Sequence, residues 1–496
     1  MSEQVSVGTS TKRRRTRQTH TQNSTQLPAL PRPANDDKEA WRAYWGHLEQ
    51  TWRTEPEIDL DRQKYLAEQR SIKPDIEKGI YPFREIKLSR ADVEWLLDTH
   101  ENGRGPVDWS DERQRNRKGV DLRGAVLSTI DLSYLPLART CGGLTVREWD
   151  AEESNQRDAA RIHLEGARLY RAHLESVDFS GAYMEGADLS YVLMELSYLV
   201  EVHLEGARLH KAHLEHAYLR EAHLGGSHIT QAYLYETDLS LAHLEGKEMI
   251  PYDLKRVQMS DQSFPALLPP AELNGSFFDS GTKLENISFG DKKHGFVSLA
   301  DLHWGDANLL TVNWTAVNML GDEWKAKQQK NRNGEEKDRQ TQLQEHLVAV
   351  RANRQVAVGL QNQGLNEEAA HFAYRAQLLQ RVVFRRRHQY APYLLSGFLD
   401  LVAGYGYKPW RSLLAYLVVI VLFAISYFIV GHIVGPSLSP LGAWVFSMTS
   451  FHGRGFFPGG IKLDDPLTVL AAFEAFVGLL IEVTFIGTLT QRLFGK

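Results

Sequence analysis

From Ile162 onward the chain repeats every five residues. Large apolar side chains fall at Leu164, Leu169, Leu174, Phe179, Met184, Leu189, Met194, Leu199, Leu204, Leu209, Leu214, Leu219, Leu224, Ile229, Leu234, Leu239, Leu244, Met249, Leu254 and Met259. Two residues before most of them stands a small one, such as Ala167, Ala172, Ala182, Ala187 or Ala207. Neither the 3.6-residue period of a helix nor the two-residue period of a strand divides five, so neither element carries this pattern. A fixed internal period instead requires a solenoid, in which each unit covers the core of its neighbour.

The pattern resembles the pentapeptide-repeat family. The resemblance implies a right-handed quadrilateral β-helix with one pentad per side. It also implies that the large residue and the small residue two before it point inward. At about twenty residues per coil the stretch stacks about five coils, each about 4.8 Å high if neighbouring strands keep ordinary sheet spacing.

Histidine precedes and glutamate follows the large residue in several units: His163 and Glu165, His173 and Glu175, His203 and Glu205, His213 and Glu215, His243 and Glu245. On a twenty-residue coil, His203, His223 and His243 form a column beside Glu205 and Glu245. Neutral imidazole is a common transition-metal ligand. Copying one unit along a chain makes such columns without selection for metal, however, so no metal site is expected. A pH-responsive face is the more direct consequence, because stacked histidines resist protonation while neighbouring glutamates favour it.

At 496 residues the chain should be multidomain. Residues 1–35 cluster Lys12, Arg13, Arg14, Arg15 and Arg17 among Ser, Thr, Gln and Pro, which reads as a disordered basic arm. Residues 36–115 read as a small helical module, with Ser89 as a helix cap. The β-helix is expected over 116–320, starting at Leu122, Leu127 and Leu132. Insertions are expected at 135–160 and 262–298, with the pattern resuming at Leu299, Trp304, Leu309, Trp314 and Met319. Residues 321–410 read as a helical hairpin turning near Gly364, with Asn366 capping its second helix, followed by a juxtamembrane segment. The single Cys141 excludes an internal disulfide. With no phosphate-binding glycine loop, no paired cysteines and no nucleophile beside an evident base, the chain is not read as an enzyme and needs no cofactor.

The last segment, 411–496, is expected to be an α-helical membrane domain. Leu413 to Val434 carries no Lys, Arg, Asp or Glu over the roughly 20 residues that cross a bilayer. Pro466 to Leu489 is a second span, although it holds Glu474 and Glu482. A charged residue at mid-membrane costs about 2.5–3.5 kcal/mol on insertion scales, so neither should face lipid. With Gly478 they share one helical stripe. Arg385, Arg386, Arg387, Lys408 and Arg411 precede the pair, and Arg492 and Lys496 follow it. The positive-inside tendency then places both termini, and the solenoid, in the cytoplasm of a multi-pass cell-membrane protein. Between the spans, Ser439 and Pro440 open an apolar stretch that dips back toward the bilayer and runs into SFHGRGFFPGG, residues 450–460.

Helix, short helix, Gly-x-Gly loop and second helix resemble the two-transmembrane pore domain of potassium channels. The resemblance implies four copies around one axis, with loop carbonyls replacing the water of a passing ion. It makes Thr449, Ser450, Phe451, His452, Gly453, Arg454 and Gly455 the candidate filter-like loop, and it leaves Glu474, Gly478 and Glu482 to line the path or brace that loop. Where the family has Gly-Tyr-Gly and an acidic residue, this chain has Gly453-Arg454-Gly455-Phe456. A ring of arginines opposes cations unless Glu474 or Glu482 pairs with Arg454, and anion passage is the variant. The expected function is therefore an oligomeric, tetrameric ion channel in the lipid bilayer, whose cytoplasmic solenoid senses a signal or takes a protein partner. The alternative is a non-conducting, membrane-anchored scaffold. Some pentapeptide-repeat proteins resemble a DNA duplex and occupy topoisomerases, but the membrane segments count against that role, and no nucleic-acid partner is expected.

Overall fold

The computed structural model describes residues 31–145, 148–149, 154–246, 269–291, 293–331, 334–434, 437–453 and 465–494. Most of the basic arm, the pentads at Met249, Leu254 and Met259, and the loop residues Arg454 and Gly455 lie outside them. Residues up to Pro56 form one compact unit and those from Glu57 another.

In the first unit, helix α1 (Lys38–His47) is capped by Asp37, whose side chain accepts from the Ala40 N–H, and it buries Trp41 and Trp45. The Trp45 indole donates to the Glu55 carbonyl at 2.9 Å, and the Arg53 guanidinium lies 3.5 Å above its ring.

The second unit opens with α2 (Leu60–Arg70) and α3 (Arg90–Asp98). Ser89 caps α3 in a reciprocal capping box with Asp92. Arg62 joins the two helices by a two-pronged contact to Asp92 at 3.0 and 2.9 Å. Residues 36–115 are thus divided between two units rather than forming one helical module. Their later part already belongs to the β-helix, since Lys87 bridges in parallel to Val126 and Leu88 is buried beside it.

The solenoid has four sides. Parallel bridges link residues twenty apart, as in His163 to Tyr183, Arg168 to Asp188, His173 to Leu193 and Asp178 to Tyr198, and each column continues upward. Where the described coils keep the five-residue step, the corners are four-residue turns. Ala167 N–H donates to Leu164 O at 3.0 Å, and Ala172 N–H to Leu169 O at 3.0 Å. The third turn residue has positive φ, +64° at Gly166 and +52° at Arg171, as a type II turn demands. The large residues from Leu164 to Leu244 are no more than 2% exposed, and burying each contributes about 1.5–3 kcal/mol. Ser197 and Thr237, small inward residues that carry a hydroxyl, bond to the carbonyl of a neighbouring coil, as buried polar groups prefer: Ser197 to Leu174 at 2.9 Å, Thr237 to Leu214 at 2.8 Å.

Both insertions differ from expectation. Bridges from Pro136 to His173 and from Cys141 to Asp178 carry the ladder through Cys141, so the first insertion begins only after Gly142. It holds Trp149 and helix α4 (Ser154–Ala160). Register is hidden there because Gly142 occupies an inward position: a Cβ would come within 2.8 Å of the Phe179 ring, which fills that space from the next coil. At the other end the rungs resume at Glu272, Phe277, Lys283 and Ser288, not at Leu299. Leu273, Phe278, Leu284 and Phe289 are the buried residues. A six-residue step from Phe278 to Leu284 breaks the count of five. A short hairpin, β1 (Gly290–Asp291) with β2 (Gly295–Phe296), then interrupts the last coils.

Helices α5 (Gly321–Lys327), α6 (Arg339–Asn362) and α7 (Asn366–Arg386) cover the end of the solenoid. Gln355 accepts from the Asp301 N–H at 2.9 Å and Gln363 from the Leu309 N–H at 2.8 Å, which satisfies a sheet edge that would otherwise template further strands. Helix α7 starts at Asn366 itself, without a side-chain cap, and Leu365 takes the cap position. Gly364, at φ +81°, makes the turn. Then follow α8 (Tyr390–Ala403), α9 (Pro409–Ile433), α10 (Pro440–Phe451) and α11 (Pro466–Phe494).

Candidate functional site

Two helical stretches, Trp410–Ile433 in α9 and Pro466–Gly487 in α11, are long and apolar enough to cross a membrane. Helix α10 is not. Its 12 residues reach about 18 Å at 1.5 Å per residue, against a hydrocarbon core of about 30 Å. Ser439 caps it by accepting from the Gly442 N–H at 3.1 Å, and Pro440 sets its first turn.

The end of α10 meets the middle of its two neighbours. The Ser447 hydroxyl lies 2.9 Å from Ile420 O, near the centre of α9, and 2.5 Å from the Glu474 carboxylate. The Tyr427 hydroxyl donates to the other Glu474 oxygen at 2.6 Å. One turn further on, Phe451 is buried among Ile420 and Ile481. Glu474, Gly478 and Glu482 do share a stripe of α11, and it faces α10: Glu474 meets Ser447, Gly478 meets the Phe451 backbone, and Glu482 lies 3.5 Å from His452 Nε2.

The filter-like stretch reads differently in space. Thr449, Ser450 and Phe451 are the last turn of α10, not loop, with the Thr449 hydroxyl donating back to Val445 O at 3.0 Å. Periodicity cannot show where a short apolar helix stops. His452 is the C-terminal cap, and Gly453, at φ +67°, leaves the helix. Glu474, which with Glu482 was one of two candidates to pair with Arg454, has both oxygens engaged by the hydroxyls of Ser447 and Tyr427, while Arg454 and Gly455 lie outside the described residues. This carboxylate, 0% exposed, therefore ties the short helix to α9 and α11.

On the solenoid, the histidine column forms: His203 stacks on His223 at 4.6 Å between ring centroids and His223 on His243 at 5.2 Å. On the opposite side His213, Tyr233, Phe277 and His303 stack in turn. Each histidine of a His-x-Glu unit holds its own glutamate through Nδ1, at 2.9 Å for His163–Glu165, 3.0 Å for His173–Glu175 and 3.0 Å for His213–Glu215. The bond to Glu175 raises the pKa of His173. Burial, and then the carboxylates of Glu175 and Glu215 in neighbouring coils, raise that of Glu195.

The family model for pentapeptide repeats matches residues 160–192, 197–234 and 207–246. These coils are pentapeptide repeats. Full-length QnrB1, a plasmid-mediated fluoroquinolone resistance protein, matches 42% of this chain and 85% of its own at 14% identity and a TM-score of 0.20. Rfr23 from the cyanobacterium Cyanothece matches 33% of this chain and 86% of its own at 20% identity and a TM-score of 0.16. HetL, involved in heterocyst differentiation regulation in the cyanobacterium Nostoc, matches 40% of this chain and 88% of its own at 18% identity and a TM-score of 0.15. No curated protein matches the chain significantly.

The pentapeptide-repeat solenoid is joined to the apolar helices by polar contacts that the sequence reading missed. Asp322 at the start of α5 accepts from the Leu299 N–H of the last coils at 2.7 Å, and burial pushes its pKa up to about 6. Next to it, Glu323 takes both prongs of Arg375 on α7 at 2.8 and 2.7 Å. Asp400 on α8 then receives Tyr374 and Arg381 from α7, at 2.9 and 2.8 Å, and Arg411 from α9 at 3.3 Å. The signal for Asp400 was present, since it is the one acidic residue in the apolar run YLLSGFLDLVAGYGY.

Proposed function

We propose that this protein is a membrane pore, working as a homo-oligomer and most simply a tetramer, whose opening is biased by its pentapeptide-repeat solenoid. The observation that carries the reading is the termination of α10 at the middle of the two apolar helices, held there by Ser447, Glu474 and Tyr427. Irregular backbone at membrane depth is tolerated only where protein or water surrounds it. Leu441, Trp444, Val445 and Met448 on α10 are exposed in the single chain, which fits lipid or further copies around an axis. The last carbonyls of α10 carry partial negative charge and favour a cation at the loop that follows, either Arg454 or a passing ion. The basic flanks of the two helices support a cytoplasmic solenoid with both termini on the same side.

The test is current through planar bilayers holding the purified full-length protein, with unequal KCl on the two sides. Discrete openings whose reversal potential shifts in Arg454→Gln are expected. No current from folded, inserted protein at any voltage or pH would reject the pore and leave the two helices as the anchor of a pentapeptide-repeat scaffold.

A further inference from the structure

We propose that the solenoid binds divalent transition-metal ions of the zinc class at two corners on opposite sides. One corner is formed by Glu185, His203 and Glu205, and the other by Glu195, His213 and Glu215. In each set, one ligand atom from every residue lies within 4.8 Å of the other two. Two ligands about 2.1 Å from one tetrahedral ion lie about 3.4 Å apart, so reductions of up to about 1.4 Å in these separations close either site. The His213 Nδ1 to Glu215 Oε1 separation of 3.0 Å already suits two ligands at about 2.1 Å meeting at about 90°. Metal would take the place of the proton now shared by that pair.

Copying of a repeat does not account for these two sets. Within the described coils the His-x-Glu unit occurs at five places, but a carboxylate from the preceding coil joins it at only two. The equivalent place is held by Ser128 beside Glu165, where its hydroxyl donates at 2.7 Å. It is held by Ala138 beside Glu175 and by Gly225 beside Glu245, as the ladder register shows. A second observation points the same way. Glu195 and Glu215 each keep a buried Oε2 atom without a hydrogen-bond partner, as do Glu175 and Glu245, but of these four only Glu195 and Glu215, at the second corner, meet one imidazole together. A cation between the stacked carboxylates would satisfy both oxygens and offset their repulsion. One imidazole with two carboxylates and no thiolate suits zinc, cobalt, nickel or iron better than calcium, magnesium or copper(I). Three protein ligands leave a position for water or an incoming group.

This inference stands apart from the pore reading and is tested without any current. Full-length protein in detergent, stripped with a chelator, is dialysed against Zn2+, and bound metal is counted by mass spectrometry. Wild type should hold two ions per chain, and His203→Gln and His213→Gln one each. His173→Gln, which has the same His-x-Glu pair but Ala138 in place of a carboxylate from the preceding coil, should keep two. Circular dichroism confirms that each variant is folded. Wild type that binds no Zn2+ overturns the proposal without recourse to a variant, and so does a folded double variant, His203→Gln with His213→Gln, that binds as many ions as wild type.

Discussion

Replacing Gly478 with alanine tests whether α10 is seated between the two apolar helices. A Cβ built there lies 3.0 Å from the carbonyl carbon of Phe451, 3.1 Å from its ring, and closer still to its carbonyl oxygen. Ordinary carbon contacts begin at about 3.5 Å, and the carbonyl cannot rotate away without disturbing the last turn of α10. Overpacking of this kind costs about 1–3 kcal/mol. Alanine also favours the helix by about 0.8–1.0 kcal/mol over glycine, so the measured loss needs a reference. Gly487 provides it: it lies in the same helix, and a Cβ there meets nothing within 4 Å. Gly487→Ala should therefore keep or raise the thermal midpoint of the detergent-solubilised protein. Gly478→Ala should fall below it by a difference equivalent to about 1–3 kcal/mol, and its openings in bilayers should change in lifetime. Equal midpoints and equal openings for the two variants would show that α10 does not rest on α11, and would remove the bracing argument for Glu474 with it.

Three further outcomes follow from the same structure. Leu214→Ala should lower solenoid stability by about 2–5 kcal/mol in chemical denaturation, because an inward leucine 1% exposed leaves a cavity that the stacked coils cannot collapse around. Asp322 holds its proton more tightly folded than unfolded, since burial raises its pKa from 3.8 to about 6; its contribution to stability is present below about pH 4 and is lost as pH rises through 6. That loss is about 3 kcal/mol at most, and Asp322→Asn should flatten the fall in urea midpoint between pH 4.5 and 7.5. Asp400→Asn removes the charge that Arg381 and Arg411 share, and should loosen α8 against α9, seen as faster amide exchange in α8 with the coils unchanged.

The solenoid was legible because its signal is redundant. Each coil repeats the same demand for a large residue at every fifth place, so one exception such as Gly142 does not obscure the rest. The register was lost where Gly142 takes an inward place and where a residue is added, as between Phe278 and Leu284, with Ser276 and Thr282 in the small inward places beside that step. Those hydroxyls look polar in sequence but bond to Ile229 O and Leu234 O inside the core. That Glu474, Gly478 and Glu482 share one stripe of α11 was legible too, from spacing alone, whereas the packing of that stripe on α10 was not. The partner of Glu474 was not. Tyr427 and Ser447 are unremarkable as letters, and a salt bridge to Arg454 was the more economical expectation for a buried carboxylate.

That difference bears on how a signal could cross the molecule. A Glu474–Arg454 pair would tie the charge of the loop to the second apolar helix. The observed bonds tie Glu474 instead to α9 through Tyr427 and to α10 through Ser447. Helices α9, α10 and α11 are thereby joined at the middle of the two apolar helices. Helix α9 is in turn held at its start by Arg411 on Asp400, and Asp400 by Tyr374 and Arg381 of α7, the helix whose Arg375 grips Glu323 beside the last coil. A contiguous chain of charge-assisted contacts thus runs from the solenoid end to Ser447, with each link made by groups that need one another because they are partly or fully withdrawn from water. Coupling along it requires two discrete arrangements of at least one link. Arg411 is the link to expect it in, because its contact to Asp400 is longer than the contacts Tyr374 and Arg381 make to the same carboxylate.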